Sequence, residues 1–264
     1  MSKAPSTPLI SIITVCYNAA ATIGATMRSV AAQSAGDYEH IVVDGASKDG
    51  TPDIARGLAT ERTRIQSSPD HGIYDAMNKG IGLSRGKYLI FLNAGDRFHS
   101  EDSLRQITDA ITANSYPGVV YGQTVLVDGD GRYLGPRHLT APENLRLSDF
   151  AGGMKVCHQA FVALKRIVPL YNTNWRFSAD YEWCIRVLQH SRSNVYTGTV
   201  LIDYLSEGAT TRNRAASLLE RYKIMCRYYG RVRTTLRHLS FVPRFALNAL
   251  RSKMHKRDAA SNNH

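Results

Sequence analysis

Short apolar runs alternate with helical patterns through the first half of the chain. The runs at 9–16, 38–44 and 88–92 are rich in β-branched and aromatic residues, which is typical of strands buried on both faces of a parallel sheet. Between the first two, residues 19–33 place Ile23, Met27 and Val30 at spacings of four and three, as an amphipathic helix does. This alternation predicts a βαβ layout.

Weaker patterns extend the prediction along the chain. They indicate strands at 64–67 and 156–163, and a hairpin of strands 119–124 and 123–134 that turns at 128–131. They also indicate four helices: one from Thr51, which is the N-cap before Pro52, one from Ile73, and two over 102–113 and 179–190. The predicted fold class is α/β, with a mostly parallel central sheet, helices on both faces and a C-terminal helical basic extension.

Polar residues follow the predicted strands where each one ends. Tyr17 and Asn18 follow the first strand, Asp44 ends the second, and the corner Asn93–Asp96 follows the strand at 88–92. Ligands bind at this carboxyl edge in open α/β sheets, and oxygen side chains there suit a substrate or a hard cation. Asp44 and Asp96 also suit turns, in which a carboxylate accepts nearby backbone N–H groups, and the pattern leaves both interpretations open.

Two glycine patterns resemble nucleotide-binding motifs without completing them. Gly45 and Gly50 have the spacing of a P-loop, but the lysine that would reach the phosphates is missing. Gly80 and Gly82 end a predicted helix, whereas the glycines of a dinucleotide-binding motif open one. We interpret both pairs as turn and helix-end glycines.

Length and cysteine usage exclude several classes of protein. The 264 residues can bury a substantial core. The four cysteines show no Cys-x-x-Cys spacing, which favours neither a zinc site nor a disulfide framework and is simplest in a reducing cytosol. The apolar run at 9–16 is far shorter than the roughly 20 residues of a membrane span. We therefore expect a cytoplasmic location and no transmembrane segment.

The net charge of +11 is concentrated near the C-terminus. Residues 212–257 hold 13 Lys and Arg against the single acid Glu220, whereas the rest of the chain holds 20 against 21. A uniformly basic domain would have pointed to nucleic acid, so this segregation argues against nucleic-acid binding by the body of the chain.

The basic tail also carries an apolar stripe at helical spacing, ending before Pro243. The stripe consists of Leu218, Tyr222, Met225, Tyr229, Val232, Leu236 and Leu239, and the basic residues largely off it are Arg221, Lys223, Arg227, Arg231, Arg233 and Arg237. Such a helix is typical of contact with an anionic membrane surface. Packing on the body, or pairing with a second copy, explains the same pattern, and the oligomeric state is left open.

Four motifs together resemble a known family. The segments Ser11–Asn18, Ile41–Thr51, Asp70–Gly80 and Phe91–Asp96 resemble, in order and spacing, those of GT-A fold glycosyltransferases of family 2. The resemblance is specific over residues 9 to about 125. It is thinner at 157–160 and 178–183, and it ends near residue 205. The domains implied are an arm (1–8), a GT-A domain (9–208, with a nucleotide-sugar half 9–125 and an acceptor half 126–208) and the helical tail (209–264).

The resemblance implies roles for particular residues. Tyr17, Asn18, Asp44, Asn78 and Asn93 would bind the nucleotide-diphosphate sugar donor. Asp96 would bind Mg²⁺ or Mn²⁺, since the corner 93–96 is the region whose carboxylates hold the cation against the diphosphate. The chain departs from the family pattern here. Asn93, Gly95 and Gly45 stand where the family has acids, so Asp96 is the only carboxylate left at that corner.

The implied reaction is a single inverting displacement onto a hydroxyl of a glycan or glycolipid acceptor. Asp180 matches the general base, although an acid at the start of a helix is also a common capping residue. His158 would contact the diphosphate or the acceptor, or is an ordinary strand histidine. The alternatives to an enzyme are a catalytically inactive scaffold for polysaccharide assembly and a nucleic-acid-binding protein acting through the tail.

Overall fold

The computed structural model of the chain describes residues 7–206 and 214–239. The strands within these residues are β1 (Ile10–Cys16), β2 (Tyr38–Asp44), β3 (Thr63–Ser67), β4 (Tyr88–Phe91), β5 (Arg97–Phe98), β6 (Val119–Val127), β7 (Tyr133–Pro136), β8 (Phe161–Leu164) and β9 (Asn194–Leu205). The α-helices are α1 (Ile23–Ala31), α2 (Thr51–Gly57), α3 (Ile73–Leu83), α4 (Ser103–Ala113), α5 (Ala179–His190), α6 (Arg214–Tyr229) and α7 (Arg231–Leu239). Short 3-10 helices span Leu147–Gly152, His158–Ala160 and Lys165–Ile167.

The described strands form one sheet in the order β3-β2-β1-β4-β8-β6-β9-β5, with β7 beside β6. The first four strands in that order are parallel. Beyond them β8 runs antiparallel to both β4 and β6, while β9 is parallel to β6. The α/β fold class is confirmed, and the carboxyl ends of β1, β2, β3 and β4 meet at the predicted edge.

Helices cover the two faces of β1, whose residues are all buried. Ile10 and Ile12 belong to the same apolar cluster as Leu104, Ile107 and Ile111 of α4. Neighbouring side chains on a strand point to opposite faces, and the next residue, Ile13, meets α3. A Cβ added to Gly80 of α3 would lie 2.4 Å from the Cγ2 atom of Ile13, so this glycine allows the helix to approach the sheet closely.

Two local predictions need correction, and one long strand was not predicted. Thr51 is the first residue of α2 rather than its cap, and the cap position is taken by Gly50, whose φ of 85° suits glycine. The predicted strand at 156–163 is wrong over its first part, because residues 158–160 form a 3-10 turn and β8 begins only at Phe161. Strand β9 has no predicted counterpart, since most of its residues are only partly buried and its polarity does not alternate.

The predicted hairpin is confirmed. Strand β6 pairs antiparallel with β7 across the turn at 128–131, and the backbone N–H of Gly131 donates to the carbonyl of Asp128 at 3.0 Å.

The tail is not one continuous helix. Gly230, with φ of 85°, separates α6 from α7, so the apolar stripe predicted across both is interrupted. Within the tail, the hydroxyl groups of Tyr222 and Thr235 lie 2.8 Å apart and join the two helices. Val232 and Leu236 are exposed, whereas Met225 of the same predicted stripe is buried. The chain divides into two compact units after Ser217, and residues 207–213, around the predicted boundary at 208, lie outside the described part.

Candidate active site

The loops that follow β1 and β2 are tied to each other. Asn18 adopts a left-handed φ of 48°, its backbone N–H donates to the Ser47 hydroxyl at 2.8 Å, and its side-chain oxygen accepts the Lys48 N–H at 3.0 Å. Tyr17 is 64% exposed at the same edge. The side chain of Asn18 therefore organises the edge, while the ring of Tyr17 is open to a ligand.

Asp44 is a buried carboxylate supplied with hydrogen-bond donors. It accepts the hydroxyls of Ser47 and Ser67, both at 2.5 Å, and the Ser47 backbone N–H at 3.1 Å. Burial by itself would raise the pKa of Asp44, but these hydrogen bonds outweigh burial and hold the pKa below its ordinary value. Asp44 thus fills the turn role that its sequence allowed, and its contact with a donor stays a prediction.

A carboxylate from another loop occupies the space beside Gly45. A Cβ added to Gly45 would lie 2.5 Å from the Oδ2 atom of Asp70 and 3.2 Å from the Tyr17 ring. Asp70 is held by its own loop, where its Oδ1 atom accepts the Gly72 N–H at 2.9 Å. Asp70 therefore fills the space that a side chain at position 45 would take, and our sequence reasoning did not single out this residue.

The corner after β4 explains another departure from the family pattern. Gly95 has φ of 108°, and a Cβ on it would lie 2.6 Å from the Cδ2 atom of Leu205 on β9. Both the backbone conformation and the contact exclude an acidic side chain there.

Asp96 lies behind this corner rather than open to solvent. It is 4% exposed, and its Oδ1 atom accepts the Leu205 backbone N–H at 3.0 Å. Burial raises the pKa of Asp96 to about 7, against the hydrogen bonds from Leu205 and Gln159 that lower it. A positive charge placed beside Asp96 would favour its ionised form.

Asn93 has an oxygen without a partner. Its buried Oδ1 atom meets no hydrogen-bond donor in the described part of the chain, which is costly unless a ligand supplies one. Among residues 7–206 and 214–239, no three His, Cys, Asp or Glu side chains are grouped to hold a metal ion. Mg²⁺ nevertheless needs only one or two protein carboxylates when substrate phosphates complete its shell. The oxygens of Asn93 and Asp96 are of the type that such a cation takes as ligands.

Asp180 lies in the first turn of α5 and is half-buried. Its Oδ1 atom accepts the Tyr74 hydroxyl at 3.1 Å, across 106 residues of sequence, and the Tyr181 backbone N–H at 2.8 Å. Tyr74 belongs to α3, the helix that follows the Asp70 loop. A single helix therefore connects the candidate base with the edge that holds Asp44.

Asn78 is occupied by a contact within the protein. Its side-chain amide donates to the Tyr171 carbonyl at 3.0 Å and its oxygen accepts the Tyr171 N–H at 2.7 Å. Tyr171 stacks on Tyr74, with ring centroids 5.7 Å apart, and on Trp183 at 5.1 Å. Asn78 thus positions Tyr171 beside Tyr74, and a contact of Asn78 with the donor stays a prediction.

His158 is packed within the same aromatic cluster. Its Nε2 atom lies 2.6 Å from the Tyr171 hydroxyl, and its ring lies against Phe91 and Trp183. Burial lowers the pKa of His158 to about 4, despite the nearby charge of Asp180. A neutral, buried imidazole supplies no positive charge to a diphosphate. The structure gives His158 a packing role, and a contact with donor or acceptor stays a prediction.

Solved structures share this fold. The mannosyltransferase PcManGT from Pyrobaculum calidifontis, in complex with GDP-Man and Mn²⁺, matches with a TM-score of 0.64 over 95% of this chain and 81% of its own, at 16% identity. S. aureus TarS 1-349 in complex with UDP-GlcNAc matches with a TM-score of 0.62 over 88% and 73%, also at 16% identity. The fold is the GT-A fold of glycosyltransferases.

Sequence comparison then gives the family. The model of "Glycosyl transferase family 2" matches residues 11–168. A PGL/p-HBAD biosynthesis glycosyltransferase of Mycobacterium bovis is 34% identical over 185 residues, which are 68% of this chain and 69% of the relative. The chain belongs to glycosyltransferase family 2.

No helix in the described ranges combines the length and the apolar character needed to cross a membrane.

Proposed function

We propose that this chain is an inverting hexosyltransferase that moves a sugar from a nucleotide-diphosphate sugar to a hydroxyl acceptor. The observation that carries this proposal is the carboxylate of Asp180, half-buried and oriented by the Tyr74 hydroxyl at 3.1 Å. The helix that supplies Tyr74 starts from the loop that places Asp70 beside the end of β2. A candidate base and a candidate donor edge are thus fixed relative to each other.

The donor's nucleoside would bind at the ends of β1 and β2. Tyr17 offers an exposed ring on which a base can stack, and Asp44 and Asp70 offer carboxylates to base or ribose hydrogen-bond donors. Asn18 keeps the two loops in register. The solved relatives bind UDP-GlcNAc and GDP-Man, which supports a nucleotide-sugar donor for this chain.

Asn93 and Asp96 would hold a divalent cation, Mg²⁺ or Mn²⁺, together with the diphosphate. When bound, the cation neutralises the charge that develops on the departing diphosphate. This chain would supply two ligands to the cation: the unpaired Oδ1 atom of Asn93 and the carboxylate of Asp96, whose raised pKa a nearby cation would lower.

Asp180 would remove the proton from the acceptor hydroxyl. The freed oxygen forms a bond to the anomeric carbon as the bond to the diphosphate oxygen breaks on the opposite side, which inverts the configuration. Tyr74 keeps the Asp180 carboxylate in one orientation. A positioned general base typically contributes on the order of 10²–10⁴-fold in rate.

The test is release of UDP or GDP from a panel of sugar nucleotides, with and without chelator, by wild type and by Asp180→Asn. We expect turnover to fall by about a hundredfold or more with donor affinity unchanged. Asp53→Asn is the matched control, because Asp53 is 83% exposed on α2. Tyr74→Phe, which removes only the hydroxyl, should lower kcat by roughly tenfold.

Each part of the proposal can fail separately. Collapse of donor binding in Asp180→Asn would make Asp180 a binding residue. A product with the donor's anomeric configuration would exclude inversion, and full activity under chelation would exclude the cation. A wild type without turnover on any donor would support the inactive scaffold for polysaccharide assembly.

The acceptor class we propose is a lipid-linked or cell-surface glycan precursor, with the tail contacting an anionic membrane from the cytoplasmic side. Lys223, Arg231 and Arg233 are exposed on α6 and α7, beside the exposed Val232 and Leu236. Basic residues near an anionic surface contribute roughly 1 kcal/mol each.

Reversing the charges of Lys223, Arg231 and Arg233 to Glu in the full chain should abolish sedimentation with anionic vesicles at low salt and leave donor turnover unchanged. Unchanged sedimentation would remove the membrane from this account. Binding of RNA or DNA in place of vesicles would instead favour the nucleic-acid alternative.

A further inference from the structure

A cavity lies at the sheet edge opposite to the candidate active site. It has a volume of about 690 Å³ and is bounded by the start of β4 (85–87), the end of β8 (164–166) and Tyr116. A neighbouring cavity of about 480 Å³ shares Tyr116, Leu164 and Arg166 with it and continues to Arg192. Strand β4, about 13 Å long at roughly 3.3 Å per residue, separates this double cleft from the Asn93 corner.

The cleft is lined by cations and by no acid. Its basic residues are Arg85, Lys87, Lys165, Arg166 and Arg192, and neither cavity is lined by Asp or Glu. Outside the tail the chain holds 20 basic against 21 acidic residues. A cluster of basic residues without an acid therefore departs from the composition of this part of the chain.

Four of the five cations lack an acidic partner. Arg85 forms an ion pair with the buried Glu39 at 3.1 Å. Within the described residues, Lys87, Lys165, Arg166 and Arg192 form no ion pair at all; the described ion pairs of the chain involve other residues. An unpaired cluster of this kind raises the local concentration of anions.

The floor of the cleft is held rigidly. The Oε1 atom of Glu39 accepts the backbone N–H of Arg85 at 2.5 Å and of Gly86 at 3.2 Å, and it also accepts the Ser11 hydroxyl. A Cβ on Gly86 would lie 2.5 Å from the backbone nitrogen of Ser11, so the chain before β4 packs closely against β1. The backbone N–H of Lys165 then donates to the Lys87 carbonyl at 2.8 Å.

One wall is formed by a strained turn after α4. Ser115 and Tyr116 have φ of 55° and 61°, a left-handed conformation that is rare for these residue types. The turn places the Tyr116 ring 48% exposed, with the Lys87 ammonium 5.4 Å from its centroid. A half-exposed aromatic ring beside unpaired cations suits a ligand with both apolar and anionic parts.

We propose that this cleft is a second anion site, which binds a diphosphate group carried either by a soluble molecule or by a lipid headgroup. Lys87 and Lys165 line one cavity, Arg192 lines the other and Arg166 lines both, and the Lys165 ammonium also donates to the Ser84 carbonyl. Guanidinium and ammonium groups make short, charge-assisted hydrogen bonds to phosphate oxygens. The site is separate from the sheet edge proposed to bind the donor, and it does not depend on that function.

The test uses pyrophosphate as the probe, by titration calorimetry with the full chain. Lys87→Glu/Arg166→Glu should raise the dissociation constant at least about tenfold, because two charge-assisted contacts become repulsions. The matched control is Arg105→Glu/Arg132→Glu, which makes the same change in net charge at exposed positions outside the cleft. Lys87→Gln/Arg166→Gln should give a smaller loss in the same direction, and circular dichroism checks that each variant folds.

Hydrogen exchange shows where pyrophosphate binds, and sedimentation with vesicles shows whether the natural ligand is soluble or a lipid headgroup. Binding at the cleft should protect amides at 85–88 and 164–167. Loss of pyrophosphate binding in the cleft variant, with vesicle sedimentation unchanged, indicates a soluble ligand. Loss of sedimentation with vesicles that contain a polyprenyl diphosphate as well, relative to the control pair, indicates a lipid headgroup. If the cleft variant and the control pair behave alike in both assays, or if protection is confined to 44–48 and 93–96, the proposal is overturned.

Discussion

Asp44 and Asp96 are both buried acids at the same sheet edge, yet their pKa values are shifted in opposite directions from the ordinary value. They are 1% and 4% exposed. The pKa of Asp44 is lowered and that of Asp96 is raised to about 7. The carboxylate of Asp96 lies deeper in the protein than that of Asp44, so burial raises its pKa more strongly, and the donors around each carboxylate add to the difference. Two hydroxyls and a backbone N–H surround Asp44, whereas Asp96 has the Leu205 N–H and Gln159.

Because of this difference, the two regions differ in whether they need a ligand to satisfy their polar groups. Asp44 is already ionised and held in place, so the end of β2 needs no ligand to complete it. The corner after β4 holds an acid that favours its proton, beside the unpaired Oδ1 atom of Asn93. We infer that the first region is preorganised and that the second is completed by a cation.

The largest expected effect is in the pH dependence of stability of Asp96→Asn. The folded-state pKa of Asp96 is raised from 3.8 to about 7, so the stability this group contributes is present below about pH 4 and is lost as the pH rises toward 7. The asparagine variant lacks this loss. From pH 4 to pH 7, the free energy of unfolding of the variant should therefore rise relative to that of wild type by up to about 4 kcal/mol, since one pKa unit is about 1.4 kcal/mol.

Denaturant unfolding at several pH values measures this change. Added Mg²⁺ with a nucleotide diphosphate should reduce the loss in wild type and leave the variant unaffected. A constant difference between the two proteins from pH 4 to 7 would contradict the raised pKa of Asp96 and remove the contrast with Asp44.

The next effect is loss of stability in Asp44→Ala. The substitution removes the charged acceptor of the partly buried Ser47 hydroxyl and of the exposed Ser67 hydroxyl, and the loss of these charge-assisted hydrogen bonds should lower the free energy of unfolding by about 3 kcal/mol at neutral pH. Asp53→Ala, at an exposed position, is the control and should change little. A loss below about 1 kcal/mol would show that the donors around Asp44 do not hold its charge.

The smallest expected effect concerns the geometry of the second corner. Gly95→Ala combines an unfavourable φ with a contact to Leu205 and should cost about 2 kcal/mol. Gly129→Ala is the control, because a Cβ there meets nothing within 4 Å. Adding Leu205→Ala should recover part of the cost of Gly95→Ala, and strict additivity of the two substitutions would exclude the contact as its source.

The parts of the site that were predictable are those that follow from strand ends. Apolar runs located β1, β2 and β4, and parallel strands bring their carboxyl ends to one edge, so the positions of Tyr17, Asn18 and Asp44 followed. The resemblance to family 2 then supplied the roles proposed for Asn93 and Asp180. Roles that depend on a single neighbour were not predictable. The partner of Asn78 is Tyr171, 93 residues away.

The sequence by itself determined which segments are buried strands, where the charge is concentrated and which family the motifs belong to, because these depend on local pattern and order. Tertiary structure decided what each side chain meets. Asp70 occupies the space beside Gly45, Leu205 forbids a side chain at Gly95, and Gly230 divides the tail. Close packing makes such contacts depend on distances of a few tenths of an ångström between segments far apart in the chain, which no local pattern records.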